Sequence, residues 1–404
     1  MTLELSRLTG QVDAMGEKIM QRQDDVQKRG AEARQLLGAQ PQVTEELLRK
    51  IERAREIDEW RRGAKPLGER LDEHRRVAAE TSPVTLIAAD GSQIFPDRHA
   101  ITTYYLVNTG TIVLRKGSGF APATDSATEI HFEDDDVYDD EGQLASNEDI
   151  SLMRGRREIE ALARLAEQER EALGGDLSTP IVALVDGPLL PWLRPDPQRS
   201  DKINEEIDFV IAQLARLRKA HAIPIGYVDR PGSAFTLRIL ELLNLPIEKI
   251  TREALRRGRF IGLTDRVLFK DLAPNERTGL FTPYTNANDR YQARSDGDRV
   301  AFAYLNVAHV DRGERSVIAR IEMPGWVASR PDWLDAAQAA IYANCEPTAY
   351  PYVLARAHEL AVVTQGDKAE LDSLLMQVML RNGMVPEISV KASNKLLTGR
   401  TSGR

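Results

Sequence analysis

Two apolar runs of six and five residues in this chain each end in Asp-Gly: VTLIAADG at 84–91 and IVALVDG at 181–187. Such runs are too short for a buried helix and too uniformly apolar for strands with one wet face. They read as strands covered on both sides, so the chain must lay helices against both faces of a sheet. Asp90 and Asp186 stand at the two carboxyl ends. An acid there is held by the sheet while the following loop opens it to solvent, which suits metal binding or proton transfer. Asp-Gly is also a common turn dipeptide, so either copy alone is a weak signal.

The intervening sequence supplies the remaining elements. A strand at 84–89 is expected to end at Asp90, with Gly91 and Ser92 turning the chain. Strands follow at 100–108 and 111–116, separated by a turn at Thr109-Gly110. Short strands joined by tight turns pair antiparallel, so these three make a meander. The acidic stretch at 133–142 reads as a solvated loop, since its spacing fails the calcium-loop pattern. Ser146, Asn147, Glu148 and Asp149 then open a helix over 149–173. Helical phase puts Leu152, Ile159, Leu162 and Ala166 on its buried face, with Glu158 on the shoulder and Glu160 towards solvent. Gly174-Gly175 ends it, and the second Asp-Gly strand follows. An amphipathic helix over 201–220 leads to a strand at 223–229. The order strand, strand, strand, helix, strand, helix, strand is that of the ribonuclease H-like fold, an α/β mixed sheet flanked by helices.

Residues 1–80 are polar and poor in strand formers. Leu8, Val12, Met15, Ile19, Arg22 and Val26 alternate in steps of four and three, and Leu47, Ile51, Ala54 and Ile57 form a second stripe beyond a Gly-Ala-Gln-Pro break at 38–41. This is an N-terminal helical, coiled-coil-like arm that dimerises or packs on the main domain. Residues 84–390 form that domain, with a helix at 233–244, strands at 301–309 and 316–323, and a last helix at 350–364 carrying His358. A flexible basic tail occupies 391–404.

Composition closes off several classes. A single cysteine, Cys345, excludes an internal disulfide and a thiolate zinc cage, and a reducing cytoplasm is the expected location. No apolar run is long enough to span a bilayer. Net charge is −8, so any nucleic-acid contact must use a local basic surface. The sequence lacks a P-loop, a GxSxG elbow, an HExxH helix and a paired Cys/His zinc pattern. What it offers is carboxylates. Two divalent ions held by hard oxygens turn water into a nucleophile and stabilise the charged transition state of phosphodiester hydrolysis. Strands one and four would be neighbours in this topology, bringing Asp90 and Asp186 together. The first long helix offers Glu158, with Glu160 as the alternative, and His358 offers a nitrogen that favours Mn²⁺ over Mg²⁺. Asp229 and Asp265 are spare acids, the latter read as a cap or salt-bridge partner. Arg256, Arg257 and Arg259 are candidate DNA-phosphate contacts, and Tyr104, Tyr350 and Tyr352 read as core packing.

The segments AADGSQIFPDRH (88–99), RREIEAL (156–162), VALVDGPLL (182–190) and YPYVLARAHELAVVTQGDK (350–368) resemble the NurA nuclease family over roughly residues 84–390. The resemblance implies a ribonuclease H-like, Mn²⁺-dependent DNA nuclease with 5′→3′ exonuclease and single-strand endonuclease activity. It further implies a homodimer that works with the hexameric HerA translocase in DNA end resection for recombinational repair. Carried over by position, Asp90, Glu158, Asp186 and His358 become the catalytic metal ligands, with Asp90 bridging the two ions. Two rival readings share these features: an actin-like ATPase, and a scaffold that binds DNA or a translocase without catalysis.

Overall fold

The computed structural model describes residues 8–58, 63–78, 83–97, 102–138, 142–189, 200–309, 316–346 and 348–384. The expected tail at 391–404 lies outside them. In chain order they begin with α1 (Thr9–Ala39), α2 (Glu45–Ile57), β1 (Gly63–Pro66), β2 (His74–Arg76), β3 (Val84–Ile94), β4 (Tyr105–Lys116) and β5 (Ala123–His131). Next come α3 (Asp134–Val137), α4 (Asn147–Ala172), β6 (Ile181–Asp186), α5 (Ser200–Lys219), β7 (Ala222–Val228), α6 (Phe235–Leu243), α7 (Arg252–Arg256) and α8 (Asp265–Leu268). The rest are β8 (Glu276–Thr278), β9 (Phe281–Tyr284), α9 (Asn286–Arg294), β10 (Val300–Asn306), β11 (Ile318–Pro324), α10 (Gly325–Ala328), α11 (Pro331–Asn344), α12 (Tyr352–Ala361) and α13 (Gln365–Arg381). Among the described residues no helix is long and apolar enough to cross a membrane.

These elements gather into two compact units, one of Met1–Thr81, Gly187–Ile211 and Pro224–Pro351, the other of Ser82–Asp186, Ala212–Ile223 and Tyr352–Arg404. The first unit carries an antiparallel run of strands in the order β1-β9-β10-β11-β7. Its core joins Phe281, Phe302 and Tyr304 of the sheet to Leu237 and Leu240 of α6 and to Leu47, Ile51 and Ala54 of α2. Thus the apolar stripe read on the second N-terminal helix is a packing face. The seam of α1 divides: Val26 packs against that core, which Ala33 and Leu37 join further along the helix, while Val12, Met15 and Ile19 are 47–61% exposed. The arm is not wholly helical, because Gly63–Pro66 and His74–Arg76 pair with β9 and β8. Neither stretch carries β-branched residues, so pairing rather than propensity makes them strands.

The second unit has the ribonuclease H-like arrangement. β3, β4 and β5 form the antiparallel meander, and β6 lies parallel to β3, from Thr85↔Ile181 to Ala89↔Val185. Leu86, Ile87, Ala88, Val182, Ala183 and Leu184 are buried almost completely, as strands covered on both faces should be. The helix α4 starts at Ser146, whose hydroxyl accepts the Asp149 N–H at 3.1 Å.

Four local expectations differ from the structure. The strand carrying Asp90 does not end in a turn: β3 runs on to Ile94, paired with β4 as far as Ile94↔Leu106. Likewise no turn forms at Thr109-Gly110, and 105–116 is one continuous strand. The third strand of the meander is β5, whose polar, largely exposed residues gave no apolar signal. At the far end α12 stops at Ala361, and a further helix, α13, opens at a capping box between Thr364 and Asp367.

Candidate active site

The parallel ladder between β3 and β6 stops at Ala89 and Val185, so the next residue on each strand is an aspartate. Register partners in neighbouring strands project to the same side of a sheet. Asp90 and Asp186 therefore leave the sheet at the same level and on the same face. Beyond Ala89 the strand β3 continues against β4, which holds Asp90 opposite Gly110.

Gly110 explains how a helix reaches this point. A Cβ at Gly110 would stand 2.5 Å from the Ala357 carbonyl oxygen and 2.6 Å from the Ala361 nitrogen. Only glycine lets the backbone of α12 lie so close to the sheet. The last turn of that helix, where carbonyls lack helical partners, is tied down by side chains of three strands. Ser92 Oγ donates to Ala361 O at 2.5 Å, Asn108 Nδ2 donates to the same oxygen at 2.8 Å, and Ser126 Oγ donates to Leu360 O at 3.2 Å. So anchored, α12 presents His358 to the aspartate: Nδ1 lies 2.7 Å from Asp90 Oδ2. With Asp90 ionised, Nδ1–H donates. The side chain of His358 is 64% exposed while that of Asp90 is 13% exposed, so one partner is held by the sheet and the other faces water.

Gly91 opens the opposite face. A Cβ there would meet Arg154 Cγ at 2.6 Å and Glu158 Oε1 at 2.8 Å, both on α4. The missing side chain is the space that Glu158 and the Arg154 stem occupy. Glu158 is buried, its Oε1 lacks a hydrogen-bond partner, and Arg154 Nε sits 3.2 Å away in ion-pair contact. Burial pushes the Glu158 carboxyl up to about 8; Arg154 opposes the shift, while the charges of Asp90 and Asp186 add to it. The three acids therefore share one electrostatic environment, reached from both faces of β3.

Like charges do not close on one point without a cation between them. Among the described residues no three His, Cys, Asp or Glu side chains are gathered tightly enough to hold a metal ion. The chemistry of the donors nonetheless fits a hard divalent cation. The carboxylate oxygens suit Mg²⁺ or Mn²⁺, Glu158 Oε1 is a buried acceptor without a donor, and the proton retained on Glu158 is one that a cation would displace. His358 stands on Asp90 as its hydrogen-bond partner, an arrangement that orients a ligating carboxylate.

The other sequence candidates lie elsewhere. Glu160 is half-buried and accepts from Arg157 Nη1 at 3.1 Å. Asp265 is fully buried in the first unit, where it accepts the N–H groups of Thr236 and Leu237 and the Tyr304 hydroxyl, and so caps α6. Asp229 belongs to the same unit and lies 4.0 Å from Arg230. There too are Arg256, Arg257 and Arg259: Arg256 is exposed, Arg257 pairs with Glu253 at 3.1 Å and Arg259 with Glu32 at 2.9 Å. Tyr104 is buried and donates to Asp372, Tyr350 meets Tyr227 edge-on, and Tyr352 is exposed. Sequence reasoning missed Ser92, Asn108, Gly110 and Arg154. A polar residue and a glycine inside the apolar run YLVNTGTIV were the available signal for two of them.

The NurA domain family matches residues 84–363, about two thirds of the chain, a span that contains Asp90, Glu158, Asp186 and His358. Among solved structures, the NurA nuclease from Sulfolobus solfataricus is similar at 13% identity and TM-score 0.46, with 83% of this chain and 92% of that chain covered. A type 1 ribonuclease H, LC9-RNase H1, is similar at 12% identity and TM-score 0.18, covering 40% of this chain and 70% of that one. No curated protein matches.

Proposed function

Because this chain belongs to the NurA family, we propose that it is a metal-dependent nuclease that hydrolyses DNA phosphodiesters at the site formed by Asp90, Asp186 and Glu158. The observation that carries the reading is the paired end of the β3–β6 ladder: two aspartates at the same level, within the electrostatic field of a buried glutamate whose Oε1 has no donor. Mn²⁺ or Mg²⁺, when bound, supplies Lewis acidity and a water acidic enough to attack phosphorus. Asp90, Asp186 and Glu158 would hold the cation. His358 fixes the Asp90 carboxylate through Nδ1, and Gly91 keeps the space in which Glu158 reaches the site.

The family resemblance supports the finer reading: 5′→3′ exonuclease and single-strand endonuclease activity, preference for Mn²⁺, and action with a HerA-type translocase in DNA end resection. The exposed Val12, Met15 and Ile19 of α1 support a homodimer. Of the basic segment Arg256 is exposed, while the likewise exposed Arg257 and Arg259 pair with glutamates, so Arg256 is the favoured phosphate contact. The decisive experiment compares the full chain with Asp90→Asn on 5′- and 3′-labelled DNA in Mn²⁺, Mg²⁺ and chelator. Mn²⁺-dependent cleavage lost in D90N, with melting unchanged, is the expected result. Full activity in D90N sinks the assignment, and a wild-type chain that binds DNA without cutting it favours the scaffold reading.

A further inference from the structure

The arginine beside the buried glutamate has no role in the reading above. Arg154 lies one helical turn before Glu158 on α4, with its stem across Gly91 and its Nε 3.2 Å from Glu158 Oε1. The contact is an ion pair without a well-aligned hydrogen bond, because both Nε and Oε1 are buried and unpartnered in that sense. The side chain is 36% exposed, against 11% for its partner. A guanidinium so placed is poorly committed to the carboxylate and borders water at the edge of the acid cluster.

Resting on the proposed nuclease site, we propose that Arg154 exchanges partners: it faces the Glu158 carboxyl when no cation is bound, and turns to a phosphate of the substrate strand when one is. A divalent ion and a guanidinium compete for the same carboxylate oxygen. A bound cation takes the carboxyl oxygen that holds Arg154 inward, and the planar fork then matches phosphate oxygens. The reach is short, since Glu158 shares its environment with Asp90 and Asp186, where the scissile phosphate would lie. Arg157, one turn along α4, is less able to serve: it bonds Glu129 at 2.7 Å and Glu160 at 3.1 Å.

The exchange predicts two effects of opposite sign for Arg154→Gln. Mn²⁺ affinity, measured by calorimetry on the full chain without DNA, should rise by up to about fivefold, the span of a partly exposed ion pair. Affinity for a cleavage-resistant phosphorothioate oligonucleotide in Mn²⁺ should fall, with the slope of log K against log salt reduced by about one. In chelator the variant and wild type should bind that oligonucleotide alike. Arg156→Gln, which removes the same charge about 200° around the helix, is the control for net charge. If R154Q matches wild type in both isotherms, or if R156Q reproduces both changes, the exchange is overturned. If the wild-type chain itself binds no Mn²⁺, the nuclease site fails instead, and the two failures are told apart.

Discussion

Gly110 stands opposite Asp90 in the ladder between β3 and β4, and the backbone of α12 rests on it. The glycine thus sets the distance between the sheet that carries the aspartate and the helix that carries its histidine. Gly110→Ala would place a methyl group 2.5 Å from Ala357 O, where only backbone can yield. We expect a loss of about 1–3 kcal/mol in stability, the size of an overpacking defect. Nuclease activity per folded molecule should fall as well, because His358 is lifted from Asp90. Urea unfolding and a labelled-DNA assay measure the two effects, and a variant with wild-type stability would remove the close approach from the account.

His358 tests the site from its wet side. Its side chain is mostly exposed, so His358→Ala should change stability by less than about 0.5 kcal/mol. Cleavage should fall about 10–100-fold, the usual effect of removing a group that orients a metal-ligating carboxylate. Steady-state rates at saturating Mn²⁺, read beside a thermal melt, decide this. Unaltered turnover would leave the 2.7 Å contact with Asp90 without a catalytic role.

Why the site was partly readable follows from where its information lies. The strand-end acids announce themselves because burial on both faces leaves Thr85 as the one polar residue of β3 before Asp90 and none of β6 before Asp186. Glu158 was separable from Glu160 because helical phase is local. By contrast, Gly91, Thr109 and Gly110 resemble turn residues, and their strand character comes from eleven register pairs with a partner strand. Ser92, Asn108 and Ser126 bind carbonyls of a helix more than 230 residues away in sequence. No window of sequence contains that relation. The edge strand β5 was invisible for a third reason: it is a strand by pairing, with mostly polar and mostly exposed residues.

The buried glutamate makes stability and metal binding depend on pH in a defined direction. Burial, then the charges of Asp90 and Asp186, raise Glu158 to about 8 in the folded chain. Between its ordinary value of 4.5 and about 8 the folded state holds a proton that the unfolded state has lost. The stability this contributes is complete below 4.5 and is lost as pH rises through 8. Glu158→Gln, which mimics the protonated acid, should therefore melt higher than wild type near pH 8–9 and approach it near pH 5. Mn²⁺ must displace the proton, so its stabilisation of the wild-type chain should grow with pH up to about 8 and be absent in E158Q. Melting curves from pH 5 to 9, with and without Mn²⁺, test both halves. Parallel wild-type and E158Q curves would place the carboxyl in water.

Asp265 supplies the contrasting case of a buried acid with a structural task. It has no exposed surface, accepts the Thr236 and Leu237 N–H groups at 3.0 and 2.9 Å, and takes the Tyr304 hydroxyl at 2.5 Å. Burial lifts its carboxyl to about 6, and those hydrogen bonds hold it from rising further. Removing it strands two helix-initiating N–H groups in the core of the first unit and leaves the Tyr304 hydroxyl with Ser233 Oγ at 3.1 Å. Asp265→Ala should cost about 2–4 kcal/mol by urea unfolding, more than any of the site substitutions. The fraction that remains folded should cut DNA at the wild-type rate, since the residue caps α6 in the first unit while Asp90, Glu158 and Asp186 belong to the second. If D265A instead lost turnover per folded molecule as completely as D90N, Asp265 would belong with the catalytic acids, and the separation between cap and site drawn here would fail.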